Sequence, residues 1–189
     1  MKVIPLALPD VLLIEPKVFA DERGFFFETY HAERYRQFGI EETFVQDNHS
    51  RSRRGSVRGL HFQLRRPQAK LVRVTRGAVF DVAVDIRPNS PDFGRWVGVV
   101  LDDDNKRQLY VPKGFAHGFC TLSETADFEY KCSDFYDPAD EYGIAWNDSD
   151  IAVDWPQMEQ VVLSPRDRRN PTLAQVLETV LTPDVDFLF

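Results

Sequence analysis

The sequence predicts an all-β fold, a sandwich or barrel, on three observations. From residue 57 to residue 132 the chain reads as short strands at roughly ten-residue spacing. Turn-forming clusters separate them: Pro88-Asn89-Ser90-Pro91, Asp102-Asp103-Asp104-Asn105 and Pro112-Lys113-Gly114. The later part of the chain offers one good helix, over residues 171–181, with Pro171 in its first turn.

The elements follow in order. Residues 1–18 read as two short strands punctuated by Pro5, Pro9 and Pro16, and 21–24 as a turn. Residues 25–30 read as a strand, and 31–38 as a short helix ended by Gly39. In the strand 43–48, Phe44, Gln46 and Asn48 share one face, with Val45 and Asp47 on the other. Strands are then predicted at 57–63, 71–76, 77–86, 95–101, 107–111, 115–122 and 127–132. The 77–86 segment sets Phe80, Val82, Val84 and Ile86 opposite Asp81 and Asp85. Strict alternation separates Arg58 from His61, and a bulge at Gly59 would bring them together.

Composition bounds the function. A chain of 189 residues fits one domain, 1–189, with its own core. An apolar content of 43% with 13% aromatics excludes a disordered composition. No apolar run approaches the ~20 residues of a membrane span. The start, Met1-Lys2-Val3-Ile4-Pro5, lacks a signal-peptide layout. Cys120 and Cys132 both fall in strand-like segments and read as reduced and buried, so the expected compartment is the cytoplasm. Net charge is −7, yet residues 51–76 carry Arg51, Arg53, Arg54, Arg58, Arg65, Arg66, Lys70, Arg73 and Arg76 with no acidic residue. Positive charge gathered this way in an acidic chain suits an anionic ligand. Phe62 is the only aromatic there, which argues against RNA.

Polar groups interrupt the predicted strands where a core strand would carry valine or leucine. They are His61 in Arg58-Gly59-Leu60-His61-Phe62-Gln63, Lys70, His117 in 111–119 and Tyr130 in Phe128-Glu129-Tyr130-Lys131. Such a pattern predicts a lined pocket. The four histidines include no H-x-H pair, a weak case for a metal. Serine elbows and Walker or Rossmann phosphate loops are missing, and neither cysteine sits in a basic, exposed setting. General acid–base chemistry remains: His61 suits a base, Lys70 suits a developing oxyanion, and Tyr130 suits a proton donor. Taken singly, each is as well explained as a core histidine, a rim charge and a core filler.

Arg58–Gln63, Lys70-Leu71-Val72-Arg73-Val74, residues 111–119, Phe128–Lys131, Leu163-Ser164-Pro165-Arg166-Asp167 and the opening stretch from Pro16 to Glu28 together resemble the dTDP-4-dehydrorhamnose 3,5-epimerases. The likeness runs from about Val3 to about Thr179. It implies a cupin-type β-jelly roll with a few short peripheral helices, and a homodimer that exchanges N-terminal strands. No metal or organic cofactor is implied. The implied substrate is dTDP-4-dehydro-6-deoxy-D-glucose, inverted at C3 and C5 on the route to dTDP-L-rhamnose. The resemblance makes His61 the base, paired with Asp167, Lys70 the holder of the enolate oxygen and Tyr130 the acid on the opposite face. Arg23 and Glu28, with Phe19, match contacts reached from the partner subunit. Gln46, Asp47, Asn48 and Arg58 match positions around sugar and diphosphate, and His117 a pocket lining. Tyr136 matches an aromatic stacked on thymine, with Glu141 beside it. Arg166 stands where a lysine is common, and the loop 64–69 is a residue short. Still open are a monofunctional 3- or 5-epimerase, a keto-isomerase on a related dTDP-sugar, and a non-catalytic sugar-nucleotide-binding cupin.

Overall fold

Period-2 patterning becomes two antiparallel sheets laid face to face. The computed structural model describes residues 1–181; the remainder of the expected 1–189 domain, and the end of the chain with it, lies outside the described residues. The strands are β1 (Lys2–Pro5), β2 (Leu12–Glu15), β3 (Phe19–Asp21), β4 (Gly24–Phe26), β5 (Gln46–Arg53), β6 (Val57–Gln63), β7 (Lys70–Arg76), β8 (Ala78–Asp85), β9 (Trp96–Asp102), β10 (Gln108–Val111), β11 (Phe115–Thr121), β12 (Thr125–Cys132) and β13 (Glu141–Gly143). The helices are α1 (Ala32–Arg36) and α2 (Leu173–Thr179), with a 3-10 turn at Asp167–Arg169. One sheet runs β1-β2-β10-β7-β12-β5 and the other β13-β6-β11-β8-β9, while β3 and β4 form a separate hairpin. This is the expected jelly-roll sandwich.

Both faces of the second sheet are covered, so its strands are apolar on both sides. Val79 and Ala83 of β8 pack between the sheets with Val72, Leu101, Leu109 and Phe128. Val82 and Val84 point the other way, onto Ile144, Leu173 and Val176 of the C-terminal segment. The face of β8 that carries Asp81 is therefore the sandwich interior, and Asp81 is fully buried. A third cluster sets Tyr35 of α1 and Ile40 against Ile14, Leu71 and Tyr110. Each such side chain contributes about 1.5–3 kcal/mol by leaving water.

Several boundaries moved. The 43–48 strand is realised as β5, which starts later and runs on through His49, Arg51 and Arg53. It pairs with β12 along all of its length, Gln46 opposite Cys132 and Arg53 opposite Thr125. Tertiary pairing there overrides the poor strand propensity of charged residues. The 25–30 strand ends at Phe26, because β3 offers partners only from Phe19 to Asp21. The short edge strand β13 carries too few residues to show a period. Pro171 lies ahead of the helix rather than in it: Thr172 caps α2 and exchanges hydrogen bonds with Gln175 in a capping box.

The predicted irregularity at Gly59 is present. Along β6 and β11 the register steps from His61↔His117 to Arg58↔Phe119, one residue more on β6. Gly59 has φ +130°, and a Cβ there would stand 2.6 Å from the Cα of Gly118. Only glycine fits such a close approach. The extra residue turns Arg58 and His61 toward the same cavity.

Candidate functional site

A cavity of about 650 Å³ opens between the sheets at one end of the sandwich. Each wall comes from a different strand. His61 and Arg58 come from β6, Lys70 from the start of β7, His117 from β11, Tyr130 and Cys132 from β12, and Gln46 and Asn48 from β5. The segment 162–167 closes the last side. It is brought to β6 by a parallel bridge between Ser56 and Val162, with the Val57 amide donating to the Val162 carbonyl at 2.9 Å.

That bridge carries Asp167 to His61 across 106 residues. His61 Nε2 stands 2.5 Å from Asp167 Oδ1. Ser164 Oγ donates to Asp167 Oδ2 at 2.9 Å and accepts from the Asp167 amide at 3.0 Å. Burial raises the Asp167 carboxyl, but hydrogen bonds from His61 and Ser164 and the Arg166 charge outweigh it and hold the group below its ordinary value. The result is an ionised carboxylate that fixes the imidazole and leaves Nδ1 for a ligand.

Lys70 sits in the enclosed inner part of the cavity. Burial pulls its ammonium down from the usual lysine range, opposed by Cys132, Glu141 and Asp81. Tyr130 is pushed up to about 12, first by burial and then by Cys132, so it is a protonated phenol at neutral pH. Burial likewise raises the Cys132 thiol, and Cys120 is held at about 11. Both cysteines are free and buried, as the sequence implied.

Around the rim, Tyr136 Oη donates to Glu141 Oε2 at 2.7 Å, and Arg166 donates to the Glu141 carbonyl at 2.6 Å and to its carboxylate. The Tyr136 amide donates to Gln46 Oε1 at 2.9 Å, and Gln46 Nε2 donates to Asn48 Oδ1 at 3.0 Å. Arg58 Nε donates to Ser52 at 2.9 Å, which aims the guanidinium.

Not every expected residue reaches the cavity of its own chain. Asp47 lies on the opposite face of β5, as period 2 dictates, and accepts from Lys131 at 2.9 Å. Glu28 pairs with Arg34. Phe19 and Arg23 belong to the exposed β3–β4 hairpin, where Arg23 pairs with Asp21. β1 pairs with β2, and β2 with β10 of the same sheet, so this hairpin is the part of the N-terminal region that stands apart.

Sequence reasoning missed four supporting groups. Asp81 holds His117 through both carboxylate oxygens, at 2.9 and 3.0 Å. Ser164 braces Asp167. Gln63 donates to the Phe135 carbonyl and accepts from the Asp137 amide, so it anchors the loop that carries Tyr136. Buried Asp140 accepts from the Arg65 and Arg66 amides at 3.0 and 2.8 Å and shapes the short loop before Lys70. An aspartate inside a strand of Val and Ala was the one available signal, at Asp81. Among the described residues no cluster of His, Cys, Asp and Glu could hold a metal.

A cupin-type sandwich thus brings a carboxylate-held histidine, an enclosed lysine and a phenol onto one cavity. The family model for dTDP-4-dehydrorhamnose 3,5-epimerase matches residues 5–175. The enzyme of that name from Escherichia coli K12 is 54% identical over 183 residues, covering 96% of this chain and 99% of its own. The crystal structure of a dTDP-6-deoxy-D-glucose-3,5-epimerase from Legionella pneumophila Philadelphia 1, in complex with dTDP-4-keto-L-rhamnose, superposes with a TM-score of 0.91 at 53% identity. It covers 93% of this chain and 94% of that one. A dTDP-4-dehydrorhamnose 3-epimerase from Streptomyces niveus is 43% identical, over 97% of this chain and 89% of its own. The chain belongs to the dTDP-4-dehydrorhamnose 3,5-epimerase family of isomerases.

Proposed function

We propose that this protein inverts C3 and C5 of dTDP-4-dehydro-6-deoxy-D-glucose to give dTDP-4-dehydro-L-rhamnose, in dTDP-L-rhamnose synthesis. The observation that carries the reading is the 2.5 Å His61–Asp167 contact on a cavity shared with Lys70 and Tyr130. Carbons flanking the C4 ketone lose a proton only if the resulting enolate is stabilised where it forms. His61 takes the proton on one face, and Asp167 steadies the imidazolium. Lys70 holds the enolate oxygen. Tyr130 delivers its phenolic proton to the opposite face, which inverts the centre. The ring of His61 then releases its proton to water, and the phenolate of Tyr130 recovers one. The chemistry draws on protein groups alone.

Arg58, aimed by Ser52, grips phosphate oxygens, since a guanidinium offers a bidentate fork. Tyr136 stacks on thymine, with Glu141 and Arg166 beside it, while Gln46, Asn48 and His117 contact the sugar. Phe19, Arg23 and Glu28, with Asp47, stand away from the cavity of their own chain. A homodimer in which the hairpin and the residues just after it complete the partner's site accounts for the first three. Phe19, Phe25 and Phe26 are 53%, 59% and 71% exposed, a load of apolar surface that suits a contact. The described residues form one domain in this reading. Cytoplasmic placement rests on the free cysteines. No described helix is long and apolar enough to cross a membrane.

The test is isotope wash-in. With dTDP-4-dehydro-6-deoxy-D-glucose in heavy water, NMR should find deuterium at both C3 and C5. Label at one carbon only would make the protein a monofunctional epimerase, and binding without label would make it a sugar-nucleotide-binding cupin.

A further inference from the structure

Among the buried carboxylates that the proposed mechanism leaves unused, Asp81 is the one that touches the cavity's lining, through His117. Asp81 is 0% exposed in the middle of β8, flanked on its face by Val79 and Ala83. An isolated carboxylate is costly in such a place, and a residue of similar volume without charge would serve the core better. Among the described residues its side-chain carboxylate has one hydrogen-bond partner, His117 Nε2, at 2.9 Å from Oδ1 and 3.0 Å from Oδ2.

His117 is the cross-strand partner of His61. The two rings therefore leave neighbouring strands side by side and line the same cavity. In both, Nε2 meets a carboxylate and Nδ1 is left for a ligand. The His117 ring also lies near-parallel to Phe128, at 6.1 Å and 24°, which restricts its rotation. Lys70 feels the Asp81 charge as well. One carboxylate thus bonds His117 directly and adds its charge to the surroundings of Lys70.

Building on the epimerase reading, we infer that Asp81 is a positioning residue, which fixes His117 so that its Nδ1 and the Lys70 ammonium hold the same substrate oxygen, the one that becomes the enolate. Asp81 touches no substrate and acts only through His117 and Lys70. Its influence falls on the charged enolate rather than on the bound ground state.

Asp81→Asn separates this role from a structural one, because it keeps the shape and one acceptor and removes the charge. The expected result is a loss in kcat and in C3 and C5 deuterium exchange of at least about tenfold, as for other oxyanion contacts. KM and dTDP affinity should stay unchanged, and the melting temperature should be equal or higher. In a His117→Gln background the same change should have a smaller effect, since the route through His117 is already cut. Wild-type exchange in Asp81→Asn, or a loss confined to KM, overturns the inference while the epimerase reading stands. Absence of exchange in the wild-type protein overturns both. Should Asp81→Asn give no folded protein, the ring nitrogens of His117 in the wild type decide. The Nδ1 resonance should move on binding the dTDP-keto-sugar and stay still with dTDP alone, and an Nδ1 signal indifferent to the sugar rejects the role.

Discussion

Two histidine–carboxylate pairs stand on neighbouring strands of one cavity, and they are built differently. The His61 side chain is 25% exposed, and its Asp167 comes from a distant loop with Ser164 as a brace. His117 is 8% exposed, and its Asp81 is sealed in the sandwich interior. In the first pair the net effect on the carboxyl is downward, from its hydrogen bonds; in the second, burial dominates and pushes Asp81 up, against His117 and Lys70. On the proposed mechanism, position rather than residue type divides the work between the two pairs. A base must release its proton to water at each turnover, so it needs access. A group that only holds an oxygen gains strength from exclusion of water, where charges interact more strongly.

The comparison can be broken at its strongest point first. His61→Ala should lower turnover on the order of 10²–10⁴-fold, the range for a lost general base, with dTDP binding kept. Equal losses from His61→Ala and His117→Ala would erase the division of labour. Next, Lys70→Met should lower kcat on the order of 10²–10³-fold, as for a lost oxyanion partner. Since burial works against the Lys70 charge, the same variant should melt no lower than the wild type. A destabilised Lys70→Met would mean that the lysine serves the fold.

The smallest effect is in the pH dependence of stability, where the two aspartates carry opposite signs. Asp167 lies below its ordinary 3.8 in the folded chain, so its contribution is full above 3.8 and is lost as pH falls through the lower folded value. Asp81 lies above 3.8, so its ionisation opposes folding as pH rises from 3.8 through the higher folded value. Denaturant unfolding across this window should show Asp167→Asn losing stability relative to the wild type as pH rises, and Asp81→Asn gaining it. Slopes of the same sign would refute the contrast.

How much of this was legible in the sequence follows from the physics of each element. The β-rich order from Val57 to Cys132 was readable because short strand-like segments recur at roughly ten-residue spacing with turn-forming clusters between them. The bulge at Gly59 was readable as a conflict between period 2 and two polar residues that need one pocket. The start of β5 was not, because pairing with β12 decides it and charged residues give no local sign. His61, Lys70 and Tyr130 stood out as polar intrusions in apolar strands. Asp167 did not, since no local pattern joins it to His61; only family resemblance paired them. Asp81 was read as alternating with Phe80 and Val82, but alternation gives two faces without saying which is interior. The C-terminal segment covers the Val82 and Val84 face and the other sheet covers the opposite one, a tertiary fact that makes the Asp81 face the sandwich interior. Asp47 reverses the lesson: simple alternation put it opposite Gln46 and Asn48, and there it stays.

The most direct test of the account compares His61→Ala with Tyr130→Phe, following solvent exchange and net inversion at C3 and C5 in the same heavy-water samples. The account predicts that Tyr130→Phe still exchanges the protons that His61 removes but does not invert the centres, whereas His61→Ala does neither. Exchange at wild-type rate in folded His61→Ala would contradict the assignment of the base, and with it the division of work between the two histidines.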